Sequence, residues 1–279
     1  MVDSVHVFHL GRIEYENAQR LQEDVAAARA RGAIGDVLLL LGHPPVITIG
    51  RGGGEEDILA SDSQLRQAGI CVALTDRGGR ATYHGPGQLV AYPILEPPGG
   101  DLYKYVWRLE EVVIRVLDTY GLTAGRVDRY PGVWVERPKG SACPGKKIAA
   151  VGIAVRHGVT RHGLALNVAP NMAHFKLLIP CGIANREVTS MAQELGWAPD
   201  LAEVGERFVR AFGEVFERRT ISTSTDTDRP RAVCGPRRLR STSASAFSLD
   251  RIAGENATKQ PRTYAHGPRT HDQCPRTHD

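Results

Sequence analysis

The hydrophobic positions of the chain follow a helical period in three segments, in which apolar residues recur at spacings of three and four positions. Capping or stop residues bound these segments: Gly32 follows the first, Asp101 is placed to cap the second, and Asp200 opens the third. The pattern predicts three helices, over residues 14–31, 101–121 and 199–216.

Between these helices lie short apolar runs bounded by Gly, Pro and polar residues, which is typical of β-strands. The predicted strands are Asp36–Leu41, Val46–Ile49, Ile70–Leu74, Leu89–Ile94, Gly132–Glu136, Ile148–Val155 and Leu164–Val168. Strands and helices alternating in one body predict an α/β or α+β fold, with a mixed sheet covered by helices.

The composition is that of an ordinary globular protein: 279 residues, 42% hydrophobic and 24% charged. The longest uncharged apolar run, Val37–Leu41, is too short to cross a bilayer, so we expect no membrane association. The N-terminus has no positive segment leading into an apolar one, which argues against a secretory signal. The five cysteines form no regular framework, and we expect reduced thiols in a cytoplasmic protein.

Both the pattern and the charge change near residue 220. Up to Thr220 there are 25 Lys+Arg and 25 Asp+Glu, so the net charge of +4 belongs to the remainder. A body without excess charge gives no support to a nucleic-acid surface. The remainder is rich in Ser, Thr, Arg and Pro and contains PRTHD twice. We therefore predict a folded domain over residues 1–220 and a disordered basic tail over 221–279.

The densest group of chemically useful residues is the segment RGGRATYHGPGQ, which runs from Arg77 to Gln88. Its glycines would allow a bound chain or phosphate to lie against the backbone. It is not a Walker loop, because no Gly-Lys-Ser/Thr follows. The glycines alone are also typical of a plain connecting loop, but the polar and aromatic residues clustered among them favour a site.

A second candidate segment is a predicted hairpin, formed by Gly145–Val155 and Gly163–Val168 around a turn at Gly158. Strand alternation puts Lys146 and Lys147 on opposite faces, so at most one of them faces a site. The alternative is that both lysines are solvated at a strand edge. Small residues along the hairpin leave space for an aliphatic chain, although an adjacent helix would fill that space equally well.

The third candidate is Cys181, between proline and glycine in the segment LIPCGI. This bend favours access for a reactant, whereas a buried structural thiol is the alternative. A nucleophilic cysteine needs a positive neighbour that lowers the pKa of its thiol. The sequence leaves open which neighbour that is, among His84, His157, His162, Lys146 and Lys147.

Five motifs, in this order along the chain, resemble the lipoyl(octanoyl) transferase family, which is related in fold to lipoate and biotin protein ligases. They are HPPVITIG from His43, RGGRATYHGPGQ from Arg77, KKIAAVGI from Lys146, HGLALNV from His162 and IPCGI from Ile179. The similarity runs from about Val5 to Phe216. It implies a biotin/lipoate protein ligase-like catalytic domain that transfers an octanoyl group through an acyl-cysteine thioester, the first step of protein lipoylation from endogenous octanoate.

The resemblance also implies the roles of individual residues. Cys181 corresponds to the acylated nucleophile and Lys147 to the charge that lowers the pKa of its thiol; whether Lys147 is also the general base stays open. His43 and Pro44 match a family motif to which we assign no catalytic role. The acyl-binding segments correspond to Arg77, Gly78, Gly79, Arg80, Ala81, Thr82, Tyr83 and His84, to Ala150, Val151 and Gly152, and to Gly163, Leu164 and Ala165.

The implied donor is octanoyl-acyl carrier protein, and the implied acceptors are lipoyl domains of 2-oxoacid dehydrogenase complexes and the glycine cleavage H protein. No cofactor is implied, and His157 and His162 lack the further ligands that a structural zinc would need. Two alternatives remain. An ATP-dependent lipoate-protein ligase on the same fold would not need Cys181, and a non-catalytic acyl- or carrier-binding protein would not need the Cys181/Lys147 pair.

Overall fold

A computed structural model describes residues 3–135, 145–179 and 187–224 of the chain. The strands in these ranges are β1 (Ser4–Arg12), β2 (Asp36–Gly42), β3 (Val46–Ile49), β4 (Cys71–Leu74), β5 (Ala81–His84), β6 (Gln88–Ile94), β7 (Ala124–Val127), β8 (Tyr130–Val135), β9 (Lys146–Arg156), β10 (Val159–Asn167) and β11 (Arg219–Ser224). The α-helices are α1 (Tyr15–Ala30), α2 (Asp62–Gln67), α3 (Leu102–Asp118), α4 (Met191–Leu195) and α5 (Leu201–Phe216).

Eight of these strands form one large sheet in the order β11-β1-β2-β6-β10-β9-β8-β7. The pairs β11–β1 and β1–β2 are parallel, and every later pair is antiparallel. A second sheet has three strands in the order β4-β3-β5. The predicted mixed sheet covered by helices is therefore confirmed.

Helices α3 and α5 pack together on one face of the large sheet, with the apolar stripes that the sequence pattern predicts turned towards the strands. Asp101 caps α3 by accepting a hydrogen bond from the Lys104 backbone at 3.1 Å, and Asp200 caps α5 by accepting one from Glu203 at 2.9 Å. Burial of each large apolar side chain here contributes roughly 1.5–3 kcal/mol. Of the helices in the described ranges, none has the length and apolar character needed to cross a bilayer.

The opposite face of the large sheet carries α1, which packs on β6 and β10. The small sheet has its own apolar cluster, to which Ile47, Tyr83 and Phe175 contribute. Phe175 lies in a 3-10 turn, Met172–Leu177. This arrangement places β5 of the small sheet near β9 and β10 of the large one, where a cavity forms.

The three predicted helices and seven predicted strands are all present, with shifted ends, while β1, β5, β7 and β11 have no counterpart in the sequence prediction. The largest shift is at β10, which begins at Val159, five residues before the predicted Leu164; the predicted strand end Glu136 lies outside the described residues. Strand β11 crosses the boundary predicted at residue 220, because Arg219–Ser224 pairs in parallel with β1. Its sequence, RTISTS, has one apolar residue. An edge strand is held through backbone hydrogen bonds on one side, so its composition gives little signal. Residues 225–279 of the predicted tail lie outside the described residues.

Candidate active site

A cavity lies between β5 of the small sheet and β9 and β10 of the large sheet. It gathers all three segments that the sequence predicts to bind an acyl chain. Of the predicted substrate-binding residues, all but Gly78, Ala81 and Tyr83 line it. The full lining is Tyr15, Arg77, Gly79, Arg80, Thr82, His84, Tyr92, Ala150, Val151, Gly152, His162, Gly163, Leu164 and Ala165.

Strand alternation explains two of the three exceptions. In β5, Thr82 and His84 face the cavity, whereas Ala81 and Tyr83 point into the apolar cluster of the small sheet. Gly78 acts through its backbone instead, since its N–H donates to the Ile153 carbonyl at 2.8 Å. These three residues therefore support the cavity wall without lining it.

Arg77 is buried, and its guanidinium is held by neutral acceptors. It donates to the Thr48 carbonyl at 2.7 Å, to Thr48 Oγ1 at 2.8 Å and to the Gly78 carbonyl at 3.0 Å. Gly152 lets this loop approach β9, because a Cβ there would lie 3.1 Å from both Arg77 Cδ and Gly78 O. The guanidinium thus fixes the shape of the wall in addition to placing a positive charge in it.

The glycine-rich segment that follows β3 packs against the same loop. Backbone N–H groups of Gly50, Arg51 and Gly52 donate to carbonyls of residues 80, 77 and 79 at 3.2, 3.0 and 3.0 Å. Arg80 strengthens the contact through an ion pair with the buried Asp57 at 2.8 Å. The two glycine-rich segments therefore form one continuous wall.

His43, which the sequence analysis leaves without a role, is fully buried behind the cavity wall. Its Nδ1 lies 2.8 Å from the Ile13 carbonyl, which can only accept, so Nδ1 carries the proton. Nε2 then accepts from the Tyr92 hydroxyl at 2.8 Å. Burial lowers the pKa of His43 to about 4, so this imidazole is neutral at pH 7.

The orientation of His84 is set by a chain of amide hydrogen bonds. Gln88 Nε2 donates to the Tyr83 carbonyl at 3.1 Å and to Asn167 Oδ1 at 2.8 Å, which leaves Gln88 Oε1 to accept from His84 Nδ1 at 3.2 Å. Burial, followed by the neighbouring His43 and Arg77, lowers the pKa of His84 well below its ordinary value. His84 is therefore a neutral ring in the cavity wall.

His162 lies at φ +58, a backbone region rare for residues other than glycine, and its imidazole lines the cavity. The His162 backbone N–H donates to Gln22 Oε1 at 2.6 Å, and the ring Nε2 donates to Asp76 Oδ1 at 2.8 Å. Burial lowers the pKa of His162, whereas Asp76 opposes this shift. The pKa of Asp76 is lowered overall. Burial acts to raise this pKa, but the hydrogen bond from His162 and the charge of Arg161 outweigh burial.

Lys147 lies in a smaller adjoining cavity that shares Thr82, Ala150 and Ala165 with the first. Lys147 is 6% exposed, and its Nζ donates to the Pro131 carbonyl at 3.0 Å and lies 4.8 Å from the centre of the Trp134 ring. Lys147 is therefore buried and lines a cavity that shares wall residues with the small-residue cavity along β9 and β10.

Lys146 points the other way, as strand alternation predicts. Its side chain is 38% exposed and its Nζ lies 3.7 Å from Glu187 and 3.8 Å from Glu194. A β-bulge follows Lys147, because Trp134 pairs with Lys147 while Val133 pairs with Ala149. The extra residue, Ile148, brings Lys147 and Ala150 to the same cavity.

Cys181, the predicted nucleophile, lies outside the described residues, as does Cys143. The described chain resumes at Glu187, six positions after Cys181, and there it meets Lys147 directly. The Lys147 backbone N–H donates to the Glu187 carbonyl at 2.9 Å, and the Thr189 N–H donates to the Lys147 carbonyl at 2.9 Å.

Sequence reasoning missed Tyr15 and Tyr92 as cavity residues and left His162 as one of several candidate neighbours of the thiol. Tyr15 belongs to the first turn of α1, and its position in the sequence is that of an ordinary buried helix residue. In the structure its hydroxyl donates to Thr75 Oγ1 at 3.0 Å. Among residues 3–135, 145–179 and 187–224, no group of three or more His, Cys, Asp or Glu side chains is placed to hold a metal ion.

Comparison with known proteins gives a consistent result. Residues 14–213 match the family described as lipoyl protein ligase A/B catalytic domain. An octanoyltransferase of Chloroflexus aurantiacus is 53% identical over 213 residues, which cover 75% of this chain and 93% of that protein. An octanoyltransferase of Alkaliphilus metalliredigens is 47% identical over 222 residues, covering 78% of this chain and 98% of that protein.

Solved structures with a similar fold are lipoate ligases. The bipartite lipoate protein ligase of Thermoplasma acidophilum, whose structural study includes its E2 lipoyl domain, superposes with a TM-score of 0.64 at 19% identity, over 81% of this chain and 88% of that one. A lipoate-protein ligase A bound with ATP superposes with a TM-score of 0.59 at 18% identity, over 81% of this chain and 90% of that one. At such low identity these structures show a shared fold.

Proposed function

The chain belongs to the lipoyl protein ligase A/B catalytic domain family, and from this we propose that it is an octanoyltransferase that acts in protein lipoylation. The donor is octanoyl-acyl carrier protein, and the acceptors are specific lysines of lipoyl domains in 2-oxoacid dehydrogenase complexes and in the glycine cleavage H protein. The names of the curated relatives support the acyl group, and the lipoyl domain in the Thermoplasma study supports the class of acceptor.

The observation that carries the proposal is the buried Lys147, which lines a cavity adjoining the small-residue cavity along β9 and β10. Ala150, Gly152, Gly163 and Ala165 leave room for an unbranched aliphatic chain along β9 and β10. Tyr15, Tyr92, His84 and His162 form other parts of the wall; Tyr15 O–H, Tyr92 O–H, His84 Nδ1 and His162 Nε2 are all hydrogen-bonded to protein groups. The stretch along β9 and β10 therefore suits an apolar chain, while Arg77 places a positive charge in another part of the wall.

The proposed reaction has two acyl transfers. The Cys181 thiolate attacks the carbonyl carbon of the donor thioester, the carrier-protein thiolate leaves, and the octanoyl group becomes a thioester of Cys181. The acceptor lysine ammonium gives one proton to a base or to water, and the neutral amine attacks this second thioester. As the amide forms, its nitrogen loses a second proton in the same way and Cys181 leaves as thiolate. The Lys147 ammonium lowers the pKa of the thiol before the first step. No ATP enters, because the donor is already activated as a thioester.

Intact-mass measurement tests this proposal. Incubation with octanoyl-acyl carrier protein and no ATP should add one octanoyl group to the protein, in a bond that hydroxylamine cleaves. Cys181→Ala should abolish the adduct, and the matched control Cys71→Ala should keep it. An adduct that persists in Cys181→Ala would refute the nucleophile. Modification of a lipoyl domain only with free octanoate or lipoate and ATP would instead assign the chain to the ligases.

A further inference from the structure

A buried carboxylate on α3 connects that helix to the site of Lys147. Glu110 is 6% exposed and lies among the residues with which α3 packs on the sheet. Burying a carboxylate costs free energy unless it is paired, and such pairs add little to stability over an apolar residue. Since stability does not explain why a carboxylate is buried here, close to a proposed catalytic group, we considered a functional role for Glu110.

The contacts of Glu110 lead to the turn that holds Lys147. Its Oε1 accepts a hydrogen bond from the Gly132 backbone N–H at 2.8 Å. Its Oε2 lies 3.2 Å from Nε of Arg126 on β7, with which it forms a partly buried ion pair. Gly132 directly follows Pro131, whose carbonyl accepts the hydrogen bond from Lys147 Nζ. The Gly132 N–H that Glu110 binds and the Pro131 carbonyl that accepts from the lysine amine therefore belong to the same peptide group.

Gly132 makes this close arrangement possible. It adopts φ +126, and a Cβ there would lie 2.5 Å from the Ala149 carbonyl and 3.3 Å from Lys147 Cε. The lysine stem therefore packs directly on the backbone that Glu110 holds. The charges also interact. Burial raises the pKa of Glu110, and three effects oppose that rise: the hydrogen bond from the Gly132 backbone, the Arg126 guanidinium and the Lys147 ammonium.

We propose that Glu110 is a positioning residue for Lys147: its hydrogen bond to Gly132 fixes the Pro131 carbonyl that orients the lysine amine towards the site. The proposal rests on the proposed function in that Lys147 is taken to act on the reacting cysteine. Arg126 holds Glu110 in place, and it is itself held by Glu111 at 2.8 Å and by the Trp107 ring at 4.2 Å.

Two substitutions of Glu110 separate the effect of side-chain length from the effect of side-chain charge. Glu110→Asp keeps the charge but shortens the side chain, so it should lose the Gly132 hydrogen bond. Glu110→Gln keeps an acceptor at the same reach and loses the charge. Glu206→Asp and Glu206→Gln are matched controls, because Glu206 is an exposed glutamate on α5 that lines neither cavity of the site.

Steady-state octanoyl transfer gives the first measurement, made at a temperature where unfolding curves show every variant folded. Glu110→Asp should lower kcat by roughly tenfold, the equivalent of one hydrogen bond to a charged group, with the donor KM within about twofold. Glu110→Gln and both Glu206 variants should stay within about threefold of the unmodified protein. An unchanged kcat in Glu110→Asp, a Glu110→Gln as impaired as Glu110→Asp, or losses that follow unfolding would overturn the proposal.

Pulse acetylation of lysines, read by peptide mass spectrometry, gives a second measurement that needs no transfer activity. Lys147 should be acetylated several-fold faster in Glu110→Asp than in the unmodified protein, while the exposed Lys146 serves as the internal reference. Equal Lys147 labelling in both proteins would overturn the positioning role. If the unmodified chain transfers no octanoyl group, the proposed function fails, and this labelling contrast still decides the role of Glu110.

Discussion

Individual residues in this site owe their chemistry to burial and to their hydrogen-bond partners. Lys146 and Lys147 are adjacent in the sequence, yet one amine is exposed beside two glutamates and the other is buried against a carbonyl and an indole ring. Strand alternation was enough to predict that at most one of them faces a site. The choice between them required the bulge at Ile148, which depends on pairing with β8.

The role of Lys147 can be tested through the reactivity of Cys181. A cation near a thiol lowers the pKa of that thiol by roughly 1–3 units. Lys147→Met keeps most of the stem and removes the charge, so the pH at which Cys181 alkylation is half-maximal should rise by about one unit or more. Octanoyl transfer should fall steeply. Quenched time courses of Cys181 alkylation at a series of pH values measure the shift in the thiol pKa.

Two variants interpret the result. Lys147→Arg keeps the charge but cannot act as a base at neutral pH; if it permits acylation of Cys181 and stalls delivery to the lipoyl domain, Lys147 also accepts the amine proton. Lys146→Met is the matched control and should alkylate like the unmodified protein. A raised titration in Lys146→Met with an unchanged one in Lys147→Met would show that the wrong lysine was chosen.

His43 should make stability depend on pH. Its pKa is lowered to about 4 in the folded protein, against about 6.5 when unfolded, so the folded state binds fewer protons between these values. The stability it contributes is present above pH 6.5 and is lost as the pH falls towards 4. Between pH 7 and pH 5 the free energy of unfolding should fall by about 2 kcal/mol from His43 alone.

Denaturant unfolding at a series of pH values tests this expectation. His43→Gln should flatten the curve between pH 7 and pH 5 by that amount, whatever its effect on stability at pH 7. His157→Asn, which removes an exposed imidazole at the tip of the β9–β10 hairpin, is the matched control. Parallel curves for His43→Gln and the unmodified protein would show that His43 is not the group that titrates.

At the scale of elements, local signals were sufficient where a structural feature is local. Asp101 and Asp200 cap their helices within three residues of themselves, and both caps were predictable from sequence. Strand β5 was missed because only four residues, Ala81–His84, emerge from a glycine-rich loop. Its alternation, with Thr82 and His84 towards the cavity and Tyr83 away from it, follows only once its pairing with β3 is known.

Glu110 shows a signal that sequence reasoning could have used. It lies between Leu109 and Val112, two buried positions of an otherwise apolar stripe on α3. A carboxylate at the margin of such a stripe departs from the pattern of an amphipathic helix, and departures of this kind concentrate at functional sites. Its partner, the Gly132 N–H, is 22 positions away, so the sequence alone could not show what this side chain contacts.

At the scale of the whole molecule, the site depends on contacts between elements far apart in the chain. The cavity combines Tyr15 of α1, the loop after β4, strand β5 and the β9–β10 hairpin. The motifs on the loop and the hairpin were recognisable in sequence, because polar and aromatic residues cluster among the glycines of the loop and small residues follow one another along the hairpin. Tyr15 and Tyr92 were not recognisable as cavity residues, because in the sequence each has the pattern of an ordinary core aromatic residue. Only the packing of the two sheets shows that they line the cavity.

We expect the folded body to end with β11. Strand β11 covers the edge of β1, with Ser4–His9 paired to Arg219–Ser224. A chain that stops after Ser224 should therefore keep the unfolding midpoint and octanoyl transfer of the full protein. A chain that stops after Arg218 leaves the β1 edge unpaired. It should lose at least roughly 2 kcal/mol of stability, since several backbone hydrogen bonds of about 1 kcal/mol each disappear, and it should aggregate more readily.

The two truncations form a matched pair, because the residues between them, RTISTS, add a single charge to the chain that stops after Arg218. Denaturant unfolding and light scattering measure the difference between them. If the Ser224 chain is as unstable as the Arg218 chain, residues beyond 224 contribute to the folded body, and a domain boundary near β11 is wrong. If the Arg218 chain is as stable as the full protein, β11 adds nothing to the sheet edge, and the boundary lies nearer the end of α5, where the hydrophobic pattern of the sequence stops.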